Sequence, residues 1–304
     1  MMRAYSARIY DISGDPRAGV KGDSMDKSSE AQARISEAWR AFFMGEFPVF
    51  HRTRRVFRLL PASPRCKVCL APFHGLGGRV MRVMGRGPAR MNPNICGVCE
   101  EFARQSPGGA EIPLTLLFAD IRGSTTLAET LGTTQFSALI ARFYDAVTEE
   151  LIKADGMIDR LIGDEVIALF VPVLNGTRHA EAAVRAAQAV LRATGHDSSD
   201  GPWIPIGVGV HTGRAFVGAV GSAGVSDITA LGDDVNLTAR LASVASAGEI
   251  FITEATRADA GLTTEGLEPR HLELKGRSAP VDVWVMRVGA HAAVGSLGTN
   301  TTSG

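Results

Sequence analysis

The chain has 304 residues, with 32 basic (Lys and Arg) and 32 acidic (Asp and Glu) side chains. Hydrophobic residues make up 45% and charged residues 21%, which excludes a wholly disordered chain. No run of 18 or more apolar residues occurs, and no apolar segment follows the first residues. We therefore expect no membrane span, no signal peptide and a cytoplasmic location.

The charge is unevenly distributed. Residues 1–110 hold 18 Lys and Arg against 9 Asp and Glu, whereas residues 111–304 hold 14 against 23. A basic front part and an acidic rear part, in a chain of this length, favour two modules.

The front part opens with a polar stretch, residues 1–28, that we expect to be flexible. Apolar residues spaced three and four apart then predict a helix between Ser29 and Gly45. All four cysteines lie in a loop-rich segment, and residues 29–105 are predicted to form a regulatory module. Residues 106–111, which contain Ser-Pro-Gly-Gly, are predicted to be a linker.

Residues 112–288 alternate short apolar strands with helices. Strands are predicted at 112–119, 157–162, 165–170, 204–211, 215–220, 250–253, 272–274 and 281–287, and helices at 137–152, 179–193 and 233–245. A Gly163-Asp164 pair between two strands predicts a tight hairpin. Helices flanking a mainly antiparallel sheet predict an α+β layered fold. The tail, residues 289–304, is expected to be disordered.

The cysteines form two CxxC pairs with 26 residues between them. They are Cys66, Cys69, Cys96 and Cys99. Two thiolates on each of two tight turns predict a structural zinc site with four cysteine ligands. A rubredoxin-like iron site is the alternative. Two redox dithiols fit less well, because neither pair is followed by a helix of an evident βαβ unit.

Arginines surround these cysteines. They are Arg52, Arg54, Arg55, Arg58, Arg79, Arg82, Arg86 and Arg90. One interpretation is contact with nucleic acid or another anion, which would make the chain a nucleic-acid binder with a signalling domain attached. We favour the other interpretation, a solvated face on a zinc-stabilised regulatory module.

Two aspartates follow predicted strands. Asp120 ends the first strand, and Asp164 lies at the tip of the hairpin. Carboxylates at strand ends could hold Mg²⁺, which prefers one or two carboxylates plus phosphates and water. The Gly-Ser-Thr after Asp120 opens a helix whose free N–H groups could face phosphates. The alternative is that Asp120 caps the helix and Asp164 serves only the turn.

Four motifs extend this pattern. They are FADIRGST at 118–125, IGDE at 162–165, GVHTG at 209–213 and ALGDDVNLTARL at 230–241. In this order they resemble the class III adenylyl/guanylyl cyclase catalytic domain, over about residues 112–288. The resemblance implies a phosphorus–oxygen lyase in which the ribose 3′-oxygen attacks the α-phosphorus of a nucleoside triphosphate and pyrophosphate leaves. Positioning and charge neutralisation supply most of the catalysis in such chemistry.

The resemblance also assigns roles to residues. Two Mg²⁺ or Mn²⁺ ions would bind Asp120, Asp164 and the carbonyl of Ile121. The turn formed by Gly123, Ser124 and Thr125 would wrap the phosphates. Asn236 and Arg240 would orient the ribose and meet the charge on the α-phosphate, and Lys275 would bind the triphosphate. His211 is interpreted as a packed core histidine.

Base selection would depend on Arg160 and Thr229. Thr229 fits adenine reading, and Arg160 cannot accept a hydrogen bond as the glutamate of guanine-specific members does. ATP is therefore the favoured substrate and GTP the alternative. If Arg160 instead pairs with Asp159 or Glu165, the base is unread and the chain would be a catalytically silent nucleotide binder.

Oligomeric state follows from the same resemblance. In the family the site lies between two catalytic domains arranged head to tail, with metal-binding and base-reading residues on opposite partners. This chain holds each set once, which implies a homodimer with two equivalent sites.

Overall fold

The computed structural model describes residues 24–46, 56–57, 59, 64–89, 93–105, 108–222, 225–277 and 279–288. The chain divides into two units, Met1–Arg34 and Ile35–Gly304. Most of the N-terminal stretch expected to be flexible, up to residue 23, and the tail from residue 289 lie outside the described residues. Within them, no helix is both long and apolar enough to cross a bilayer.

Three helices form the described front part. They are α1 (Ser24–Met44), α2 (Gly75–Val83) and α3 (Gly97–Gln105). Helix α1 begins five residues before its predicted start, so residues 24–28 are helical and not the flexible stretch expected. Trp39, Phe42 and Phe43 are buried, with ring centroids 5.3–6.2 Å apart. These three aromatic residues anchor the C-terminal half of the helix.

Among the described residues, eight strands form one sheet. They are β1 (Gly108–Ile121), β2 (Met157–Ile162), β3 (Glu165–Phe170), β4 (Ile206–Ser222), β5 (Val225–Leu231), β6 (Glu249–Thr253), β7 (Glu268–Leu272) and β8 (Val281–Arg287). Their order is β2-β3-β1-β4-β6-β8-β7, and β5 pairs with β4. The β4–β6 pair is parallel and the other pairs are antiparallel. The sheet with its helices confirms the predicted α+β class.

The remaining helices lie between the strands. They are α4 (Ser124–Lys153), α5 (Pro172–Asn175), a 3₁₀ turn (Gly176–Arg178), α6 (His179–Ala193), α7 (Asp233–Val244) and α8 (Glu254–Asp259). Helix α4 starts 13 residues before its predicted start and continues through a kink at Gly132, where φ is 72°. The break in apolar periodicity at this kink hides the first half of the helix from pattern analysis.

Side chains of β1 alternate between two cores. Leu117, Ala119 and Ile121 pack with helices α4 and α6 on one face. Leu114 and Leu116 pack on the other face, in the cluster that contains the four cysteines and the aromatic residues of α1. This alternation follows the two-residue period of a strand. The stretch from Cys66 to Cys99, called the cysteine segment below, therefore packs on one face of the sheet and shares a core with it.

Several sequence expectations about the strands were wrong. Residues 108–111 are not a linker, because they extend β1 and pair with residues 216–219 of β4. The predicted break at residues 212–214 does not occur, because these residues pair with residues 113–115 of β1. Gly213 is needed for a close approach and not for a turn, since a Cβ there would overlap the Asp234 carboxylate. Strand β5 was not predicted, and β7 begins at Glu268, four residues before its predicted start.

His211 connects β4 to helix α7. Its Nδ1 lies 2.9 Å from Thr253 Oγ1, and its Nε2 lies 3.2 Å from Asp234 Oδ1. The backbone N–H of Arg214 donates to Asp234 Oδ2 at 2.8 Å. His211 is buried, as expected for a core histidine. This network fixes the first turn of α7 against the sheet.

Burial lowers the pKa of His211, although Asp234 and Asp233 oppose the shift and Arg277 adds to it. At this position the unfolded chain therefore binds a proton below about pH 6.5 that the folded chain resists, so the contribution of His211 to the free energy of unfolding falls as the pH falls. We expect urea unfolding to show a smaller fall between about pH 7.5 and 5.5 for His211→Gln than for the wild type.

His179 and His196, whose pKa values burial also lowers, act in the same direction in both proteins, whereas Glu165, whose pKa is raised to about 7, acts in the opposite direction. The exposed His74 provides a control, and His74→Gln should retain the full wild-type fall. Equal pH dependence in His211→Gln and wild type would contradict this account of the network.

Candidate active site

The strand pairing brings the two predicted metal-binding aspartates to one end of the sheet. Asp120 in β1 pairs with Glu165 in β3. The backbone N–H of Ile121 donates to the carbonyl of Asp164 at 3.1 Å. The carbonyl of Ile121, the third predicted ligand, belongs to the same stretch of backbone. One segment of β1 and the tip of the β2–β3 hairpin therefore form an acidic end.

The acidic end is partly shielded from water. Burial raises the pKa of Asp120, a shift that Arg122 opposes and Asp164 increases. Burial, together with the charges of Asp120 and Asp164, raises the pKa of Glu165 to about 7, although Arg122 opposes this shift too. A bound cation would favour the charged forms of Asp120 and Glu165, whose pKa values burial and neighbouring carboxylates raise. This donor set of hard oxygens fits Mg²⁺ or Mn²⁺.

Arg122 contacts the acidic end directly and was not singled out from the sequence. Its guanidinium forms an ion pair with the Asp120 carboxylate and donates to the carbonyl of Ser243 at the end of α7. Its backbone N–H donates to the carbonyl of Pro205 at 2.8 Å. The motif FADIRGST contains both Arg122 and Asp120, but Ser243 and Pro205 are distant in sequence, so these contacts become evident only in the fold.

The predicted phosphate-binding turn follows at once. Gly123 adopts a left-handed conformation with φ of 68° and precedes the first residue of α4. Ser124 Oγ donates to Asp164 Oδ2, and Thr125 is exposed. Tyr144, further along α4, donates its hydroxyl to the carbonyl of Gly163 at 2.8 Å. Helix α4 thus holds the hairpin from two points, and its N-terminal N–H groups lie beside the aspartates.

The predicted transition-state residues lie on α7. Asn236 is exposed near its start, and Arg240 is half-buried one turn further on. A Cβ on Gly276 would lie 3.3 Å from Arg240 Nη2, so the guanidinium rests against the turn after Lys275. Lys275 itself is exposed. The fold therefore places Arg240 and the Lys275 turn together as a cationic group.

The two predicted base-reading positions meet through a third residue. Thr229 Oγ1 in β5 donates to Asp159 Oδ2 in β2 at 3.1 Å. Arg160 Nε lies 4.0 Å from the same carboxylate oxygen, and the Arg160 side chain is 47% exposed. The ion pair between Arg160 and Asp159, named above as an alternative, is therefore present, while much of the guanidinium still faces solvent.

The four cysteines form a compact cluster. All four are fully buried, none forms a disulfide, and their sulfur atoms lie within 4.8 Å of one another. Cys66 Sγ lies 4.0 Å from Cys99 Sγ, and Cys69 Sγ lies 3.7 Å from Cys96 Sγ. A tetrahedral zinc site with Zn–S bonds of about 2.3 Å requires sulfur atoms roughly 3.8 Å apart. The cluster therefore fits a four-coordinate metal.

One arginine of the basic segment serves this cluster. Arg86 is buried, donates to Cys69 Sγ at 3.5 Å and lies over the Phe57 ring. Arg86 is therefore not available to nucleic acid. Arg79 and Arg82 are exposed on α2. The other arginines of the basic segment lie outside the described residues.

The rear part of the chain is similar to known proteins. The model of the adenylate and guanylate cyclase catalytic domain family matches residues 110–287. Among curated relatives, adenylate cyclase 1 of Rhizobium meliloti (strain 1021) is 36% identical over 133 residues, which is 42% of this chain and 20% of that protein. The adenylate cyclase of Anabaena cylindrica is 31% identical over 133 residues, 42% of this chain and 26% of that protein. The chain thus spans about a quarter or less of these relatives.

Solved structures give the same family. The crystal structure of the guanylyl cyclase Cya2 is 29% identical with a TM-score of 0.52, over 60% of this chain and 96% of that one. The adenylyl cyclase CyaB from P. aeruginosa is 29% identical with a TM-score of 0.51, over 60% of this chain and 97% of that one. With a family match over more than half of its length, the chain belongs to the adenylate and guanylate cyclase catalytic domain family.

Proposed function

We propose that the protein is an adenylate cyclase that converts ATP to 3′,5′-cyclic AMP and pyrophosphate at a homodimer interface, as part of intracellular signalling. The observation that carries the proposal is the joining of Asp120 and Asp164 at one end of the sheet, through the backbone bond from Ile121 and the hydroxyl of Ser124. Arg240 and the Lys275 turn supply the complementary cationic group.

The acidic end would hold two divalent ions on Asp120, Asp164 and the carbonyl of Ile121. Mg²⁺ or Mn²⁺ bound there supplies activation of the ribose 3′-hydroxyl and neutralisation of phosphate charge. Gly123, which is exposed and open, and the N–H groups of the first turn of α4 would receive phosphate oxygens. The protein's part is to hold the triphosphate in line for the 3′-oxygen.

The partner's copy of α7 would complete each site. Asn236 would orient the ribose, and Arg240, with its planar guanidinium, would meet the charge that grows on the α-phosphate. Lys275 would bind the triphosphate. Exposed apolar side chains on β2, β4, β5 and α7, 36–51% accessible, offer a surface for a second copy. They are Leu161, Ile162, Val220, Leu231 and Val244.

ATP is the favoured substrate because Arg160 presents only donors, whereas guanine presents N–H groups that need an acceptor. Asp159 already accepts from Thr229, which limits its capacity to read guanine. A guanylate cyclase is the second candidate, supported by the likeness to the guanylyl cyclase Cya2. A catalytically silent nucleotide binder is the third, and the ion pair between Arg160 and Asp159 supports it.

Purified protein with Mn²⁺ should form cyclic AMP from ATP, and at a lower rate cyclic GMP from GTP, as measured by chromatography of the products. Asp120→Asn and Asp164→Asn should each reduce turnover by about 100-fold or more, because each removes a proposed metal ligand. Asp145→Asn, at an exposed position of α4, is the matched control and should keep wild-type turnover. Faster turnover of GTP would reverse the base assignment, and nucleotide binding without product would favour the silent binder.

The dimer can be tested by mixing two inactive variants. Asp120→Asn and Arg240→Ala remove opposite halves of the proposed site, so a mixed dimer retains one intact site. Random pairing of equal amounts should restore about a quarter of wild-type turnover. Mixing Asp120→Asn with Asp164→Asn should restore none, because both changes affect the same half. Absence of recovery in the first mixture, with subunit exchange shown by differently tagged chains, would contradict the shared site.

The cysteine cluster is proposed to hold one structural Zn²⁺, with rubredoxin-like iron as the alternative. Its thiolates would be kept reduced by the cytoplasm, which is the location we propose. The backbone N–H groups of Cys69 and Cys96 point to Cys66 Sγ at 3.5 and 3.2 Å, and they would stabilise a thiolate there.

Elemental analysis should find one zinc per chain in colourless protein, since Zn²⁺ has no visible absorption. Cys96→Ser should lose the metal and lower the free energy of unfolding by about 3 kcal/mol or more, because the cluster is fully buried in a core shared with the sheet. A red protein containing iron would select the alternative. Protein that folds with all four thiols titratable and no metal would remove the site.

A further inference from the structure

The turn between α4 and β2 is held from outside by the cysteine segment. Asp155 in this turn has a φ of 60°, a left-handed conformation that residues with a side chain adopt infrequently. Gly156 follows in a confined space, since a Cβ there would lie 2.9 Å from the carbonyl oxygen of Leu151. A turn of this kind persists when surrounding contacts determine it.

Two side chains of the cysteine segment supply those contacts. Asn94 Nδ2 donates to the carbonyl of Ile152 at 2.8 Å and to Asp155 Oδ1 at 3.1 Å. Lys67 Nζ lies 3.0 Å from Asp155 Oδ2. The backbone N–H of Lys67 also donates to the carbonyl of Asn94 at 2.8 Å, so the two residues form one unit.

The positions of these residues depend on the four cysteines. Lys67 lies inside the first CxxC pair, between Cys66 and Cys69, and Asn94 lies two residues before Cys96. A metal bound by all four sulfur atoms would fix the backbone of both turns. The contacts to Asp155 therefore transmit the geometry of the cysteine cluster to the start of β2.

Strand β2 needs such support. It lies at the edge of the sheet order and pairs with β3, and its register shifts between Ile158 and Arg160. An edge strand with an irregular register is weakly constrained by its ladder alone. Strand β2 carries Asp159 and Arg160 and leads into the hairpin that holds Asp164, so its placement affects both base reading and the acidic end.

The cysteine segment is also connected to β5, the strand that carries the other base-reading residue. Helix α3 begins at Gly97, contains Cys99 and packs against β4 and β5. Strand β5 carries Thr229, which donates to Asp159. The two strands that meet at the bond between Thr229 and Asp159 are therefore both attached to one four-cysteine centre.

We propose that Lys67 and Asn94 are positioning residues for the nucleotide site, through which the metal-binding cysteine cluster sets the placement of β2. The cluster is then a structural part of the base-reading half-site and not an independent sensor. This inference rests on the proposed cyclase function for its kinetic consequence, while the placement of β2 is measurable without any turnover.

The test uses Lys67→Ala, Asn94→Ala and the double variant in the full chain, each first checked for metal content. Hydrogen exchange of residues 156–162 should be at least about fivefold faster in the double variant than in the wild type, because two contacts to the turn are lost. KM for ATP should rise by about fivefold or more with a smaller change in kcat, and the preference for ATP over GTP should fall. Lys67→Arg should be close to the wild type in exchange, KM and base preference, since it retains the positive charge.

Lys153→Ala is the matched control. Lys153 lies two residues before Asp155, is exposed and pairs with Glu149 and Glu150 of α4. This variant should keep wild-type exchange, KM and base preference. The proposal is overturned if the double variant, with its metal retained, behaves like Lys153→Ala.

Loss of the metal from Lys67→Ala and Asn94→Ala would also overturn the proposal, because the two residues would then serve the metal site alone. If the wild type itself forms no cyclic nucleotide, the proposed function fails. The exchange of residues 156–162 still decides whether the cysteine segment places β2.

Discussion

The pairing of β1 with both β3 and β4 is the interaction on which the rest of the structure depends. The 14 residues of β1 pair along the whole length of the strand with β4, and those in its last half pair with β3. A shift of one residue would exchange the two faces of the strand, and would move Leu114 and Leu116 out of one core and Leu117 and Ala119 out of the other. The same register places Asp120 opposite Glu165, so packing and the acidic end share one determinant.

The two faces of the sheet are covered differently. Helices α4 and α6 cover one face and are continuous with the acidic end, since α4 begins directly after Gly123. Helix α1 and the cysteine segment contribute to the core on the other face. Four thiols occupy positions in this core that apolar side chains would otherwise fill, and a bound metal would join the two turns that carry them. The four cysteines are thus part of a core that the sheet shares.

The charges relevant to the proposed chemistry lie on separate elements. The aspartates lie at the end of β1 and in the β2–β3 hairpin, whereas Arg240 and the Lys275 turn lie on and beside α7. The His211–Asp234 network holds the first turn of α7 against β4. A head-to-tail pair of such chains would oppose one acidic end to one cationic group, twice, as two-fold symmetry requires.

The sequence alone determined the features that depend on short-range chemistry. The hairpin at Gly163-Asp164 follows from turn geometry, and the helix at 179–193 follows from helical periodicity. The four-cysteine cluster follows from the two CxxC pairs. Each of these signals involves residues close in the chain. The four motifs were enough to indicate the family. The helix predicted at 137–152 was too short, because the kink at Gly132 interrupts the apolar periodicity of α4.

Only the tertiary structure decided what depends on strand register and long-range contact. Gly213 had the local appearance of a turn residue, but β1 pairs with it, and the glycine is needed because Asp234 approaches the strand there. The bond from Thr229 to Asp159 and the contacts of Lys67 and Asn94 with Asp155 join residues about 60 to 90 positions apart. Such contacts carry no local periodicity, because their geometry exists only after the sheet has brought distant segments together.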